Sequence, residues 1–436
     1  MRVGRRRGGG LGRGFLGFRC RERGKHGNKI DLENDTKLFL YPLVGTWGQL
    51  LFPKPWKEFR LWYDEHKAKG MKPILDGMIS TGWYKKMGEK IWTPWFIKFI
   101  HSRGYYNIYT HFDNEGALSV SHRDAGVNYG RSAGPDSHLL DESSLDFNHL
   151  SFPPLNDLKW YDFCFREVVP HRVLTKLHEL GHILSSMQKE KPLLLVSISK
   201  TPEAVTRNLL CHFESLNIRN YILVGQRSNF GVDLARRGHP VVDVDNLFED
   251  ITSYSGLKIQ TSNTELIKEV MVTAHIVSKC LGFGFDSWVV NGNMLVSSNY
   301  PTLEFVDPTC DFYVSKASGF FFVRSTASTM KIWDKNFLFR LAKTHQQLVK
   351  DDPKNFVIIV SKKLDEQGVK YKSVDGLGSI LQLDQVNANK GSSVDTKKTI
   401  FWFSDTGFDH IKKSLDELGL WIVEEEACRA VVCHRS

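Results

Sequence analysis

The sequence lacks a long hydrophobic run and a metal-type spacing of cysteines. No segment reaches the roughly 18 apolar residues that span a bilayer. The nearest candidate, residues 38–52, is broken by Pro42 and two glycines. Residues 15–18 are too short for the apolar core of a signal peptide. We therefore expect neither a transmembrane anchor nor a signal peptide in this chain. Its seven scattered cysteines predict no zinc site and do not decide the redox compartment.

Excess charge is also lacking outside the first thirty residues. The formal net charge is +9, and residues 1–30 alone contain eight Arg, two Lys and one Glu. The same segment has nine glycines and few apolar side chains, a composition that predicts a disordered tail. A neutral remainder lacks the basic footprint of nucleic-acid-binding domains. We therefore expect no nucleic-acid partner for the folded part.

The pattern of apolar and aromatic residues changes near the middle of the chain. Residues 31–170 are rich in aromatic side chains, including six tryptophans between positions 47 and 95, and predict an N-terminal domain. Residues 171–190 predict a linker helix. From residue 191 to 436, buried strands alternate with helices, which is typical of right-handed βαβ crossovers. This part predicts an α/β fold with a mostly parallel sheet and flanking helices.

Local patterns predict where most of these elements lie. Helices are expected at 56–69, 93–103, 201–216, 231–237, 264–281, 328–350 and 407–418. Strands are expected at 193–199, 221–224, 240–244, 288–290, 294–296, 311–315, 318–323 and 420–423. Further apolar runs cover 356–360, 380–386 and 399–403.

The segment HELGH at residues 178–182 matches the zinc-binding motif in which two histidines share a helix face and the glutamate acts as a base. Its surroundings differ from those of metalloproteases. Ser185 and Gln188 occupy the positions of the extended motif, and Lys176 adds a charge just before the pair. An amphipathic linker helix is the preferred interpretation, and a zinc metalloprotease is the weakest alternative.

The tripeptide Asn291-Gly292-Asn293 interrupts an apolar, β-rich run. Such a run is too short for a helix and too apolar for a surface loop, so it predicts a buried parallel strand. Polar groups at the carboxyl end of such a strand lie where open α/β sheets bind ligands. We expect Asn291 and Asn293 at that edge.

Residues 193–333 resemble the plant nucleotide-diphospho-sugar transferase family, which comprises cell-wall arabinosyl-, xylosyl- and galactosyltransferases of the GT-A type. The resemblance is carried by LLLVSIS at 193–199, by Gly284-Phe285-Asp286, and by SGFFFVRSTASTMKIW at 318–333. It implies a GT-A-like, Rossmann-like fold and a glycosyltransferase of the Golgi. The implied donor is a nucleotide sugar, expected to be a UDP-sugar, and the implied acceptor is a carbohydrate or glycoprotein.

The resemblance also implies site residues, although it identifies no catalytic residue. It implies nucleotide binding by Ser197, Ser199, Asn291 and Asn293, and acceptor contacts by Ser318 and Gly319.

The family's two metal-binding acids fall at Asn291 and Asn293, whose amides carry no charge. In the family, these acids hold Mn²⁺ or Mg²⁺. A literal D-x-D occurs at Asp243 and Asp245, at the end of an earlier strand. Three alternatives follow: a transferase that binds its metal at this pair, a metal-independent transferase, and a catalytically inactive binding protein.

Overall fold

The computed structural model describes residues 36, 38–44, 49–110, 116–117, 138–139, 153–169, 172–255, 264–297, 309–343, 352, 354–375, 380–383, 400–403 and 407–434. The chain divides into two compact units. The first combines Met1–Val168 with Ala427–Ser436, and the second is Val169–Glu426. The tail at residues 1–30 lies outside the described residues, and the domain limits expected from the sequence stay a prediction.

The elements are numbered in chain order. The strands are β1 (Leu38–Tyr41), β2 (Asn107–Thr110), β3 (Gly116–Ala117), β4 (His138–Leu139), β5 (Lys159–Trp160), β6 (Leu193–Ser197), β7 (Tyr221–Gly225), β8 (Val241–Asp243), β9 (Ser287–Asn291), β10 (Met294–Val296), β11 (Phe312–Ser315), β12 (Phe320–Val323), β13 (Lys372–Ser373), β14 (Ile380–Gln382), β15 (Ile400–Trp402), β16 (Val423–Glu424) and β17 (Ala427–Cys428). The α-helices are α1 (Pro53–Ala68), α2 (Ile79–Met87), α3 (Thr93–Arg103), α4 (Glu179–Ser186), α5 (Glu203–Ser215), α6 (Asn229–Arg236), α7 (Val244–Ser255), α8 (Thr264–Gly282), α9 (Ala327–Ile332), α10 (Lys335–Ala342), α11 (Asn355–Glu366) and α12 (Phe408–Glu417).

An aromatic core organises the first unit. Phe59 of α1 packs against Phe96 and Phe99 of α3, with ring centroids 4.7 and 5.5 Å apart. The predicted bounds of α3 are confirmed, because a proline stands in its first turn and the left-handed Gly104 ends it. A disulfide joins Cys164 to Cys433 within this unit. Spacing in the sequence did not predict that pair, whose members are 269 residues apart.

A seven-stranded sheet organises the second unit, in the order β13-β11-β12-β9-β6-β7-β8. Strands β9, β6, β7 and β8 are parallel, and β12 runs antiparallel to both β9 and β11. Apolar clusters cover both faces of this sheet, as the uninterrupted apolar strands require. The α/β class is confirmed, and the sheet is mixed. Strand β10 belongs to a separate sheet of three strands, in the order β10-β15-β14.

The predicted helix over residues 171–190 is wrong in extent, since α4 covers only Glu179–Ser186. The preceding residues extend the edge of the large sheet instead. The Leu174 amide donates to the Val241 carbonyl at 2.8 Å, and the Asp243 amide donates to the Leu174 carbonyl at 3.0 Å. Pairing with β8 satisfies backbone groups that a longer helix would have satisfied internally.

Two other predicted elements differ from the structure. The described part of the helix expected at 328–350 is divided into α9 and α10, because the Asp334 side chain accepts from the Phe337 amide at 2.8 Å and caps a new helix. Residues 344–350 lie outside the described residues. The strand expected at 420–423 is wrong in extent, since β16 covers only Val423–Glu424. The Leu420 carbonyl is taken up by hydrogen bonds from the side chains of Asn208 and His212 and not by a neighbouring strand. The apolar run at 356–360 lies within α11. Among the described residues, none of the helices is both long and apolar enough to cross a membrane.

Candidate functional site

The large sheet has a topological switch point between β6 and β9. From β6 the chain continues to β7 and β8 on one side, and it later enters β9 on the other side. Ligands of open α/β sheets bind outside the carboxyl ends of the strands at such a point. Ser197 ends β6 and Asn291 ends β9, and the two residues are partners in the parallel register. The structure therefore brings these two predicted site residues together.

The turn Asn291-Gly292-Asn293 links the large sheet to the small one, since β9 ends at its first residue and β10 follows its last. The Gly292 amide donates to the Ser197 carbonyl at 2.6 Å, and the Asn293 carbonyl accepts from the Phe403 amide at 2.9 Å. A Cβ at Gly292 would lie 2.5 Å from Thr201 Oγ1. Glycine is therefore needed for the close approach of this turn to the end of β6.

The turn between β11 and β12 reaches the same edge, because β12 runs antiparallel beside β9. Gly319 ends this turn with a φ of +81°. A Cβ at Gly319 would overlap the side-chain amide of Asn291 and lie 3.2 Å from Lys354 Cγ. Asn291, Gly319 and Lys354 thus meet at one point.

Ser318 is buried and holds the turn in place. Its hydroxyl donates to Ser315 Oγ at 2.5 Å, and Ser315 in turn donates to the Asp375 carboxylate. The amides of Lys316 and Ala317 also donate to Asp375, each at 3.2 Å. These bonds make Ser318 a support for the turn, while acceptor contact by Ser318 and Gly319 stays a prediction.

The two serines predicted for nucleotide binding have different surroundings. Ser197 Oγ donates to the carboxylate of Glu269, on α8. The Ser199 hydroxyl oxygen is buried and has no hydrogen-bond partner within the described part of the chain. A buried hydroxyl without a partner costs free energy unless a ligand or water satisfies it. Nucleotide binding by either serine stays a prediction.

Asp243 and Asp245 are both occupied by other contacts. Asp243 is 3% exposed, and its carboxylate accepts from the Asp245 and Asn246 amides at 3.0 and 3.2 Å. Asp245 pairs with the Lys268 ammonium at 2.8 Å. Hydrogen bonds to Asp245 and Glu265 raise the pKa of Lys268, so it stays a cation. A metal at this pair stays a prediction, and it would require both carboxylates to exchange these contacts for the ion.

The amides of Asn291 and Asn293 do not fit a divalent cation of the Mn²⁺ or Mg²⁺ class. Such ions are held by anionic oxygens, and these side chains offer dipoles without charge. Among the described residues, no group of three His, Cys, Asp or Glu side chains is placed to hold a metal.

The HELGH segment does not have the geometry of a protease. His178 precedes α4 as its cap, and Glu179 lies in the first turn. The Glu179 carboxylate pairs with Arg172 at 2.6 Å and accepts from the Thr175 and Lys176 amides. Burial raises the pKa of Glu179, but these hydrogen bonds outweigh it and hold the pKa below the usual value. A carboxylate stabilised in this way is a poor general base near neutral pH.

Lys354 and Trp402 were missed by the sequence analysis. The Lys354 ammonium lies 5.5 Å from the centroid of the Trp402 ring. Both residues stand far from Asn291 in the chain and carry no motif of their own. Only the pairing of β15 with β10 brings Trp402 beside the Asn291-Gly292-Asn293 turn.

Comparisons with known proteins find only distant structural similarity. No family model matches the chain, and no curated protein matches it. A glycosyltransferase involved in glycosylation of the major capsid of PBCV-1 is 10% identical, with 52% of this chain and 100% of that chain covered and a TM-score of 0.31. The glycosyltransferase GlyE of Streptococcus pneumoniae TIGR4 is 9% identical, with 50% and 56% covered and a TM-score of 0.31. The galactosyltransferase LgtC is 9% identical, with 52% and 95% covered and a TM-score of 0.30. Similarity this low carries no argument about activity.

Proposed function

We propose that the second unit is a glycosyltransferase that moves a sugar from a nucleotide-diphosphate donor to a carbohydrate or glycoprotein acceptor. The observation that carries this proposal is the position of the Asn291-Gly292-Asn293 turn. It lies at the switch point of the large sheet and leads directly into the small sheet. The same turn is where the resemblance to plant nucleotide-diphospho-sugar transferases places the donor diphosphate.

The neighbouring groups suit a ligand with hydroxyl and phosphate oxygens. The Asn291 amide can donate to a donor oxygen from the end of β9. Ser199 would join it if ligand binding exposes its buried hydroxyl, which has no hydrogen-bond partner among the described residues. Sugar transfer breaks the bond between the anomeric carbon and a diphosphate oxygen, so negative charge develops on the leaving group. Donors fixed at that position stabilise this charge without reorganising during the reaction.

A catalytically inactive binding protein is the second candidate, because amides stand where the related transferases have acids. Such a protein would keep nucleotide affinity and lose turnover. Release of UDP from a panel of UDP-sugars, measured with and without candidate glycan acceptors, separates the two functions. Nucleotide binding without any turnover would favour the inactive protein.

The binding site itself is tested by calorimetry with UDP, GDP and ADP. We expect Asn291→Ala to weaken binding of the preferred nucleotide by about tenfold, the equivalent of one lost hydrogen bond. Asn336→Ala is the matched control, since Asn336 is exposed and bonds Asp334 away from this edge. If no nucleoside diphosphate binds the wild-type protein at millimolar concentration, the proposed function is wrong.

We also propose a Golgi setting and a plant cell-wall type of acceptor, as the resemblance implies. The Cys164–Cys433 disulfide supports an oxidising compartment, because cytosolic thiols are normally kept reduced. A fluorescent fusion expressed in plant cells should overlap a Golgi marker. A purely cytosolic distribution of the full-length gene product would contradict this part of the proposal.

A further inference from the structure

We propose that the ammonium group of Lys354 takes the place of the divalent cation, so that this site binds its nucleotide diphosphate without metal. The inference rests on the proposed function, because it assigns a role within the same site. The reason is the charge of the diphosphate. A diphosphate removed from water needs a partner of opposite charge, and the amides of Asn291 and Asn293 supply none.

The stem of Lys354 lies against the first residue of the turn. Lys354 directly precedes α11 and is half-buried. Its Cγ lies 3.2 Å from the position that a Cβ on Gly319 would take, and a Cβ in that position would also overlap the Asn291 amide. The absence of a side chain at Gly319 therefore lets the lysine and the asparagine approach each other.

The ammonium of Lys354 lies beside the ring of Trp402. Its Nζ stands 5.5 Å from the centroid of the Trp402 ring. Trp402 pairs with Met294 in the antiparallel register, and Met294 directly follows Asn293. The Lys354 side chain thus has its Cγ near Gly319 and the Asn291 amide, and its ammonium near Trp402, whose strand pairs with the strand that follows the turn.

This arrangement suits a phosphate better than a structural ion pair. The face of a tryptophan attracts an ammonium without neutralising its charge, so the positive charge stays available to an anion. An ammonium has three donors that can each reach a different phosphate oxygen. A half-buried cation is also screened less by salt than an exposed one. The lysine would offset one of the negative charges of the leaving diphosphate, part of the role that the resemblance assigns to a metal.

Lys343 provides a matched control. Its ammonium also lies over an aromatic ring, 4.4 Å from the centroid of Phe339. Lys343 is exposed and caps the carboxyl end of α10. Lys343→Gln therefore removes the same charge and the same type of ring contact elsewhere in the second unit.

The test is calorimetry of UDP, GDP and ADP and of the corresponding nucleosides, in EDTA and in Mn²⁺. We expect wild type to bind its preferred diphosphate equally in both. Lys354→Gln should weaken diphosphate binding by about tenfold, as expected for a lost charge-assisted hydrogen bond, and leave nucleoside binding unchanged. Lys354→Arg should retain most of the affinity because it keeps the charge. Lys343→Gln should match wild type.

The outcomes separate this inference from the proposed function. Diphosphate binding that needs Mn²⁺, or that is unchanged in Lys354→Gln, overturns the role of Lys354 and leaves a nucleotide site in place. Equal weakening of nucleoside and diphosphate overturns it as well, because the loss would then be structural. Failure of wild type to bind any of the three diphosphates overturns both. Circular dichroism of each variant checks that it has folded.

Discussion

Alanine at Gly319 should impair both folding and ligand binding. The residue has a φ of +81°, where a side chain costs about 1–2 kcal/mol. The new Cβ would also overlap the Asn291 amide. That amide is the end of a short side chain that can rotate away, at a further cost of about 1 kcal/mol. We therefore expect a loss of unfolding free energy of about 2–3 kcal/mol and a displaced Asn291.

Gly284→Ala isolates the backbone part of this effect. Gly284 has nearly the same φ, +84°, but a Cβ there would have no neighbour within 4 Å. It precedes β9, whereas the proposed ligand edge lies at the other end of that strand. The control should lose about 1–2 kcal/mol of stability through φ alone and keep wild-type affinity for the nucleotide.

Urea unfolding measures the two stabilities, and calorimetry measures the two affinities. Displacement of Asn291 should weaken nucleotide binding in Gly319→Ala by about tenfold, or about 1.4 kcal/mol. Equal nucleotide affinity in the two variants would refute the reasoning, since the contact with Asn291 would then have no bearing on the ligand. A wild-type stability for Gly284→Ala would refute the strain estimate separately.

Two further predictions concern stability. Burial raises the pKa of Asp233. The charge of Arg237 and hydrogen bonds from Arg236, Arg237 and Arg207 outweigh that effect and lower the pKa to about 2. A lowered carboxylate pKa stabilises the fold above its unfolded value of 3.8, and the stabilisation fades as pH falls through about 2. Asp233→Asn should therefore lower the free energy of unfolding in urea by about 2 kcal/mol at pH 6 and by distinctly less at pH 2.5. The same loss at both pH values would contradict the lowered pKa. Replacing Cys164 and Cys433 by serine should lower the stability of the first unit by up to about 5 kcal/mol, because a long loop opens in the unfolded chain. An unchanged melting temperature would contradict this prediction.

The sequence alone determined most of the element order in the second unit. Uninterrupted apolar runs such as LLLV in β6 and WVV in β9 indicate strands buried on both faces, and proline or polar residues mark where helices begin. Because these signals are local, they also placed Asn291 at the carboxyl end of a parallel strand. The interruption of the helix expected at 328–350 was less predictable, since Asp334 caps a second helix within the pattern.

Only the tertiary structure decided which residues meet at that strand end. Antiparallel β12 brings Gly319 to Asn291, and β15 brings Trp402 beside the turn, while Lys354 stands just before α11. The same holds for the Cys164–Cys433 disulfide, which closes a separation of 269 residues. Pairing between distant segments depends on how the apolar faces of whole elements pack, and that information does not lie in any one segment of the sequence.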